Sequence, residues 1–245
     1  MIFRFLGTAD SAGIPVHNCT CKACELYRKQ NRQNLSTCAY IEIDETIILL
    51  DAGHDDIASK FDSKNIETIF LTHFHPDHCL GLLRLRHSVD KIDCFHPYDK
   101  QGFSDLFKHK YSIRYKVLKP FEKVTIKDVS FTTIPLKHSK QTYGYLIEYK
   151  NKSIVYLTDC YGIDKKSLEF LKSIKIDLPF IDACYDERRV SGNHLNYIQA
   201  GDILDSLHVK NGYFIHTSHQ TQEYILEKDV KLRYQYVKYN DSFVL

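Results

Sequence analysis

This chain carries very little net charge: 33 lysines and arginines stand against 31 aspartates and glutamates in 245 residues. A formal balance of +2 implies no surface built to hold a polyanion, although it leaves nucleic acid open as a substrate. No apolar run approaches the roughly 18 residues of a membrane-spanning helix, so no membrane partner is expected. Met1–Leu6 is apolar apart from Arg4 but too short for the core of a secretory signal, and no cleavage pattern follows it. Low-complexity linkers and internal repeats are missing, as is any long basic, glycine-rich insertion. What remains is 43% apolar, enough for a proper core. The expectation is a cytoplasmic protein forming one domain over residues 1–245. The eight cysteines fit that compartment as thiols or metal ligands rather than disulfides.

Apolar, β-branched and aromatic runs recur at short intervals, bounded by Gly, Asp, Asn or Pro. They predict strands at Ile2–Leu6, Cys38–Ile43, Thr46–Leu50, Thr68–Leu71, Ile92–Phe95, Ser112–Val117, Val124–Ile126 and Val129–Ile134. Further strands are predicted at Tyr143–Tyr149, Ser153–Leu157, Leu178–Ile181, Gly212–Ile215, Leu232–Val237 and Ser242–Val244. Asp44-Glu45 and Asn151-Lys152 predict hairpin turns. Helical spacing follows Cys21 and His78 and covers Asp164–Ile174. It returns over Leu195–Leu207, with Leu195, Ile198, Ile203, Leu204 and Leu207 on one broad face. Many strands and fewer helices predict a layered α/β chain, two packed sheets with helices outside.

The chemistry gathers at strand ends. Thr72-His73-Phe74-His75-Pro76-Asp77-His78 follows the apolar run Ile69-Phe70-Leu71. Imidazoles two residues apart on extended chain point to one side. A turn at Pro76 then returns Asp77 and His78 towards them. Three imidazoles and a carboxylate within six residues suit zinc, manganese or iron. Three other apolar runs lead to His138, Asp159 and His216, which together supply the missing ligands of a binuclear site. Asp159 is the natural bridge, since a carboxylate can hold one metal on each oxygen. Asp51, in Asp51-Ala52-Gly53 after Ile47-Ile48-Leu49-Leu50, reads as an orienting group or as a turn former.

These residues resemble the metallo-β-lactamase superfamily. The resemblance implies an αββα sandwich with two divalent ions at one edge of the sheets. One ion would take His73, His75, His138 and Asp159, and the other Asp77, His78, Asp159 and His216. Such a fold hosts many activities and does not name a substrate.

A second motif is Cys19-Thr20-Cys21-Lys22-Ala23-Cys24. Three thiols in six residues read as a structural zinc site lacking one ligand. His219, three residues after His216, is the expected fourth, which would tie the N-terminal loop to the one holding His216. Cys38, Cys79, Cys94, Cys160 and Cys184 read as ordinary buried thiols.

With this motif, a nearly end-to-end set of segments is similar to the cyclic phosphodiesterase family of phosphonate degradation. It includes Leu6-Gly7-Thr8, Gly13-Ile14-Pro15, Leu71-Thr72-His73, Asp105-Leu106-Phe107-Lys108-His109 and Leu136-Lys137-His138-Ser139-Lys140. It continues with Tyr143-Gly144-Tyr145-Leu146, Asn193-His194 and His216-Thr217-Ser218-His219. That family opens 5-phosphoribosyl 1,2-cyclic phosphate to ribose 1,5-bisphosphate. The resemblance implies a small phosphodiester substrate and a homodimer; the small net charge and the lack of an RNA-gripping insertion predict no nucleic-acid partner. Matched by motif, His194 is the family's active-site histidine outside the metal ligands, a candidate general acid or phosphate contact. Its plainer reading is a cap on the following helix. Asp77 is counted with it among the catalytic groups. Lys140, Arg188 and Arg189 are candidates for a distal phosphate, each also readable as a solvated surface charge. Two departures stand out: Ala9-Asp10, where related chains often carry a Gly- or Ser-rich turn, and Cys184–Gly192.

Other readings remain beside this one. A transfer-RNA 3′-processing nuclease of the superfamily generally carries an arm to grip RNA. A relative of the pyrroloquinoline-quinone pathway member shares a thiol-rich zinc site but has a less complete metal motif. A non-catalytic zinc-binding protein would be expected to lose ligands. A di-iron redox protein would want a carboxylate in place of one histidine.

Overall fold

The computed structural model describes every residue except Ser104. Its strands gather into two sheets. In the first, the spatial order is Ser242–Val244, Ile2–Gly7, Cys38–Ile43, Thr46–Leu50, Asn65–Phe70, Ile92–Pro97 and Ile113–Leu118. In the second it is Gly162–Ile163, Val129–Lys137, Thr142–Tyr149, Lys152–Leu157, Leu178–Asp182, Tyr213–Ile215 and Gln235–Tyr236, with Lys123–Ile126 folded back on Val129–Lys137. Alternation along each strand sends half of the side chains between the sheets. Phe3, Phe5, Ile41 and Phe70 of the first sheet meet Phe131, Tyr145, Tyr156 and Phe180 of the second, all buried. Phe70 stacks on Phe131 with centroids 4.0 Å apart, and Phe5 meets Phe180 edge-on at 4.9 Å. Each such pair adds about 0.5–1.5 kcal/mol beyond burial, so the aromatic layer fixes how one sheet sits on the other.

Helices cover the outer faces. Ile57–Lys60 and Leu82–Leu85 bring Ile57, Leu82 and Leu85 onto Leu49 and Ile69. Lys165–Lys172 and Tyr197–Ser206 bring Leu171 and Leu204 onto Val155 and Phe214. The layers are helix, sheet, sheet, helix: the αββα sandwich.

Strand direction then places the chemistry. Thr46–Leu50, Asn65–Phe70 and Ile92–Pro97 are parallel, and so are Lys152–Leu157, Leu178–Asp182 and Tyr213–Ile215. Crevices outside the carboxyl ends of parallel strands are where such sheets present functional groups. The two sheets are pinned together at this edge, where Tyr145 Oη donates to Leu71 O at 2.6 Å and Tyr143 N to Thr72 O at 3.0 Å.

Some expectations need correction. The turn between Thr142–Tyr149 and Lys152–Leu157 is Lys150-Asn151, because Lys152 already pairs with Tyr149. Leu232–Val237 contributes only Gln235–Tyr236 as strand, since its neighbour Tyr213–Ile215 offers just three residues to pair with. The strand Gly162–Ile163 and the helices Ile57–Lys60 and His219–Lys228 are additional to the predicted set.

Candidate metal centre

Four strand ends converge on one cluster. Ligand atoms of His73, His75, His138 and Asp159 all lie within 4.8 Å of one another, as do those of Asp77, His78, Asp159 and His216. Asp159 belongs to both groups. His73 Nε2 lies 2.7 Å from His75 Nδ1, and His138 Nε2 lies 3.2 Å from that same nitrogen. Around a cation at about 2.0–2.1 Å, imidazole nitrogens stand about 2.8–3.4 Å apart; the 3.2 Å spacing falls in that range and the 2.7 Å spacing just below it, close enough for a shared metal. His78 Nε2 is 3.1 Å from Asp159 Oδ2 and 3.3 Å from Asp77 Oδ2, while His216 Nδ1 is 3.2 Å from Asp159 Oδ1.

The other ring nitrogens are held from behind. His78 Nδ1 bonds Asp51 Oδ2 at 2.8 Å, and Asp51 Oδ1 accepts from Thr72 N at 2.7 Å. Thr72 Oγ1 meets His73 Nδ1 at 2.9 Å. His138 Nδ1 lies 3.1 Å from Asn193 O; a carbonyl only accepts, so Nδ1 carries the hydrogen and Nε2 is left free to ligate. Asp51 therefore orients His78 and lies in neither ligand group.

Burial, followed by neighbouring imidazoles, lowers His73 well below its ordinary value and His75 to about 4. Burial also lowers His138. These rings are neutral at physiological pH, the form that binds metal. Burial opposes ionisation of Asp159, yet His216 and His78 hold its carboxyl well below the usual range. Burial would likewise lower His78, but the carboxylates of Asp159, Asp51 and Asp77 raise it well above the ordinary histidine value. A buried knot whose carboxylates draw positive charge even onto His78 calls for cations.

His194 sits beside this knot. Its Nδ1 lies 2.7 Å from Asp182 Oδ2, and Asp182 is fully buried. Burial lowers a histidine, but here the Asp182 carboxylate prevails and lifts His194 to about 9. The helix-capping reading of His194 fails, because Asn196 caps Tyr197–Ser206 and forms a reciprocal pair with Gln199. Asp182 was missed in the sequence, although Leu178-Pro179-Phe180-Ile181 leading to an acid repeats the pattern that pointed to Asp159. Cys184 is a buried thiol as expected, and its sulfur also lies within 4.8 Å of ligand atoms of His194 and His216.

A cavity of about 530 Å³ opens next to His194, and Asp10, Tyr185, Arg188 and Arg189 line it. Lys140 does not line it; its ammonium bonds Asp99 at 2.7 Å.

The cysteine motif closes on His219. Sulfurs of Cys19, Cys21 and Cys24 lie 3.5, 3.5 and 3.7 Å from His219 Nδ1. A tetrahedral zinc with bonds of about 2.3 Å to sulfur and 2.0 Å to nitrogen puts these atoms about 3.5 Å apart, so the four residues fit that ion. Cys21 caps the helix Lys22–Lys29 and Ser218 caps His219–Lys228. The site joins the first turns of these two helices.

Comparisons with known proteins show the same fold. The solved structure of a diphosphatase from the PhnP family superposes with a TM-score of 0.83 at 23% identity, covering 99% of this chain and 96% of that one. Zinc-bound PqqB from Methylobacterium extorquens superposes with a TM-score of 0.78 at 18% identity, covering 100% of both chains. In sequence, the ribonuclease Z of Acaryochloris marina is 27% identical over 164 residues, 60% of this chain and 48% of the relative. The chain spans about half the length of the curated relatives it matches. The family model described as a β-lactamase superfamily domain matches residues 46–217, and so takes in every residue of both proposed ligand groups. On that match, over well more than half its length, this chain belongs to the metallo-β-lactamase superfamily.

Proposed function

We propose that this protein is a phosphodiesterase that works with two divalent cations, zinc, manganese or iron, on a small cyclic phosphodiester. The ester proposed is 5-phosphoribosyl 1,2-cyclic phosphate. The observation that carries the reading is Asp159, one buried carboxylate shared by two ligand groups, with His194 locked onto Asp182 beside them. Cations bound there would act as Lewis acids on a phosphoryl group and acidify water. The chain's own residues do the rest. Asp51 fixes the ring of His78, and Asp182 fixes the ring of His194 and favours its protonated form. With Nδ1 engaged, His194 Nε2 presents a proton to a departing alkoxide. A positioned acid of this kind contributes about 10²–10⁴-fold. The neighbouring cavity falls in the size range of small-molecule sites. The same resemblance carries a homodimer into the proposal, which light scattering tests, and a third, structural zinc on Cys19, Cys21, Cys24 and His219.

Transfer-RNA 3′ processing is the second reading, favoured by the ribonuclease Z relatives. The PhnP-family diphosphatase adds diphosphate esters to the panel. The test is hydrolysis by the metal-reconstituted protein of 5-phosphoribosyl 1,2-cyclic phosphate, 2′,3′-cyclic nucleotides, a diphosphate ester and pre-tRNA. The expected result is a kcat/KM for the ribosyl ester at least tenfold above the others. Cleavage of pre-tRNA without turnover of the small esters moves the assignment to the second reading. No turnover of any of them with both metals bound would overturn the hydrolase.

A further inference from the structure

We propose that the cavity beside the metal centre holds a terminal phosphate monoester of the substrate on Arg189, which makes this arginine the specificity-determining cation. The inference rests on the phosphodiesterase reading and adds to it the chemistry of the substrate's far end.

The structure separates the three candidate cations. Lys140 is paired with Asp99 and lies off the cavity. Arg188 lines the cavity, but its Nε and Nη2 each lie 2.7 Å from an oxygen of Asp186, and its guanidinium rests over the ring of Tyr224 at 4.2 Å. Arg189 lines the cavity and pairs with no carboxylate among the described residues. Its guanidinium lies 3.8 Å from the centre of the Tyr185 ring. Arg189 Nε donates to Ser191 O at 3.4 Å, and stacking of this kind leaves the in-plane N–H groups of the two Nη nitrogens to take phosphate oxygens. The Tyr185 ring in turn stands edge-on to His194 at 5.6 Å. His194, Tyr185 and Arg189 thus form a continuous wall leading away from the metal centre.

That wall is built rather than loose. Arg189 N donates to Asp186 O at 3.1 Å, Asn196 Nδ2 to Arg189 O at 3.0 Å and Gln199 Nε2 to Val190 O at 3.1 Å. Gly192 adopts φ +146°, and a Cβ there would stand 2.9 Å from the Tyr185 ring and 3.3 Å from Arg189 Nη2. Only glycine leaves room for the stack. Asp10, on the same cavity, sets what lies between. A carboxylate lining the cavity would disfavour a second anion beside it and could accept hydrogen bonds from substrate hydroxyls. The ligand class is a cyclic phosphodiester on a hydroxylated carbon frame, with a phosphate monoester at its far end.

The experiment compares kcat/KM for 5-phosphoribosyl 1,2-cyclic phosphate and for ribose 1,2-cyclic phosphate, which lacks the terminal group. Wild type is expected to favour the phosphorylated ester by about 10- to 100-fold, the scale of one or two charge-assisted hydrogen bonds. Arg189→Ala should erase that preference, chiefly through KM for the phosphorylated ester. Arg189→Lys should restore part of it, and Lys140→Ala should keep the wild-type ratio. Equal turnover of the two esters by wild type overturns the subsite while leaving the phosphodiesterase reading intact. So does a loss in Arg189→Ala that falls equally on both esters. A wild type inert to both esters yet active on pre-tRNA or a diphosphate ester removes the reading itself, and the subsite with it.

Discussion

Asp159 carries more of the proposed chemistry than any other side chain, because both ligand groups include it. Asp159→Ala should leave only the cysteine-held zinc by elemental analysis and abolish turnover; retention of two further metals with near-normal rates contradicts the binuclear assignment. His194 makes a different prediction. Its folded value of about 9 lies above the ordinary histidine value, so the protonated form persists at neutral pH and is lost as pH rises through about 9. If that form is the acid, kcat/KM falls on the basic side. Asp182→Asn removes the raising carboxylate and should move the basic limb to lower pH with both metals retained, which a pH–rate profile of the metal-loaded variant reads directly. These two residues differ in how legible they are. Asp159 stood out because it completed a ligand count begun by His73, His75, Asp77 and His78. Asp182 repeats the strand-end pattern but completes no ligand count in the sequence, and its role comes from His194 folded against it. Cys184 was unreadable for the same reason: its place beside His194 and His216 is set by parallel strand pairing.

Among the glycines, the tightest approach lies between two loops at the edge of the first sheet. A Cβ on Gly53 would fall 1.6 Å from Asp77 O, so the Asp51-Ala52-Gly53 loop passes hard against the turn bearing Asp77 and His78. Gly81 is pressed likewise, with its Cβ position 2.4 Å from His54 O. Gly53→Ala should push that turn aside and cut active-site metal content while sparing the cysteine-held zinc; full metal occupancy in this variant would show that the loops part without cost. The elements themselves were largely readable. Cys38–Ile43, Thr46–Leu50 and Ser242–Val244 appear with the predicted bounds, because their apolar runs stop sharply at turn residues. The helix His219–Lys228 escaped because it has almost no inward face: Thr221 is its one buried residue among those described. It is held by Ser218 at its start and by His219 at the cysteine cluster, not by an apolar stripe.

For the molecule as a whole, the cysteine cluster joins segments some 200 positions apart in the chain, since 195 to 200 residues separate His219 from its three sulfur neighbours. Cys21→Ala should lower the melting temperature and the zinc content together. A zinc present at a thousand times its dissociation constant stabilises a fold by about 4 kcal/mol, and a variant with unchanged melting and full zinc would sink the structural assignment. The two-sheet architecture was legible from strand count alone, while the pairing order of distant strands was not, because register between them depends on packing that no local pattern encodes.

If the cysteine cluster holds zinc as proposed, it also couples two metal supplies. His219 lies three residues beyond His216, so an ion holding one would help to position the other. An enzyme charged with manganese for its reaction would still be hostage to zinc for its shape. Zinc famine would therefore silence it even in manganese plenty, and adding back manganese alone would not revive it.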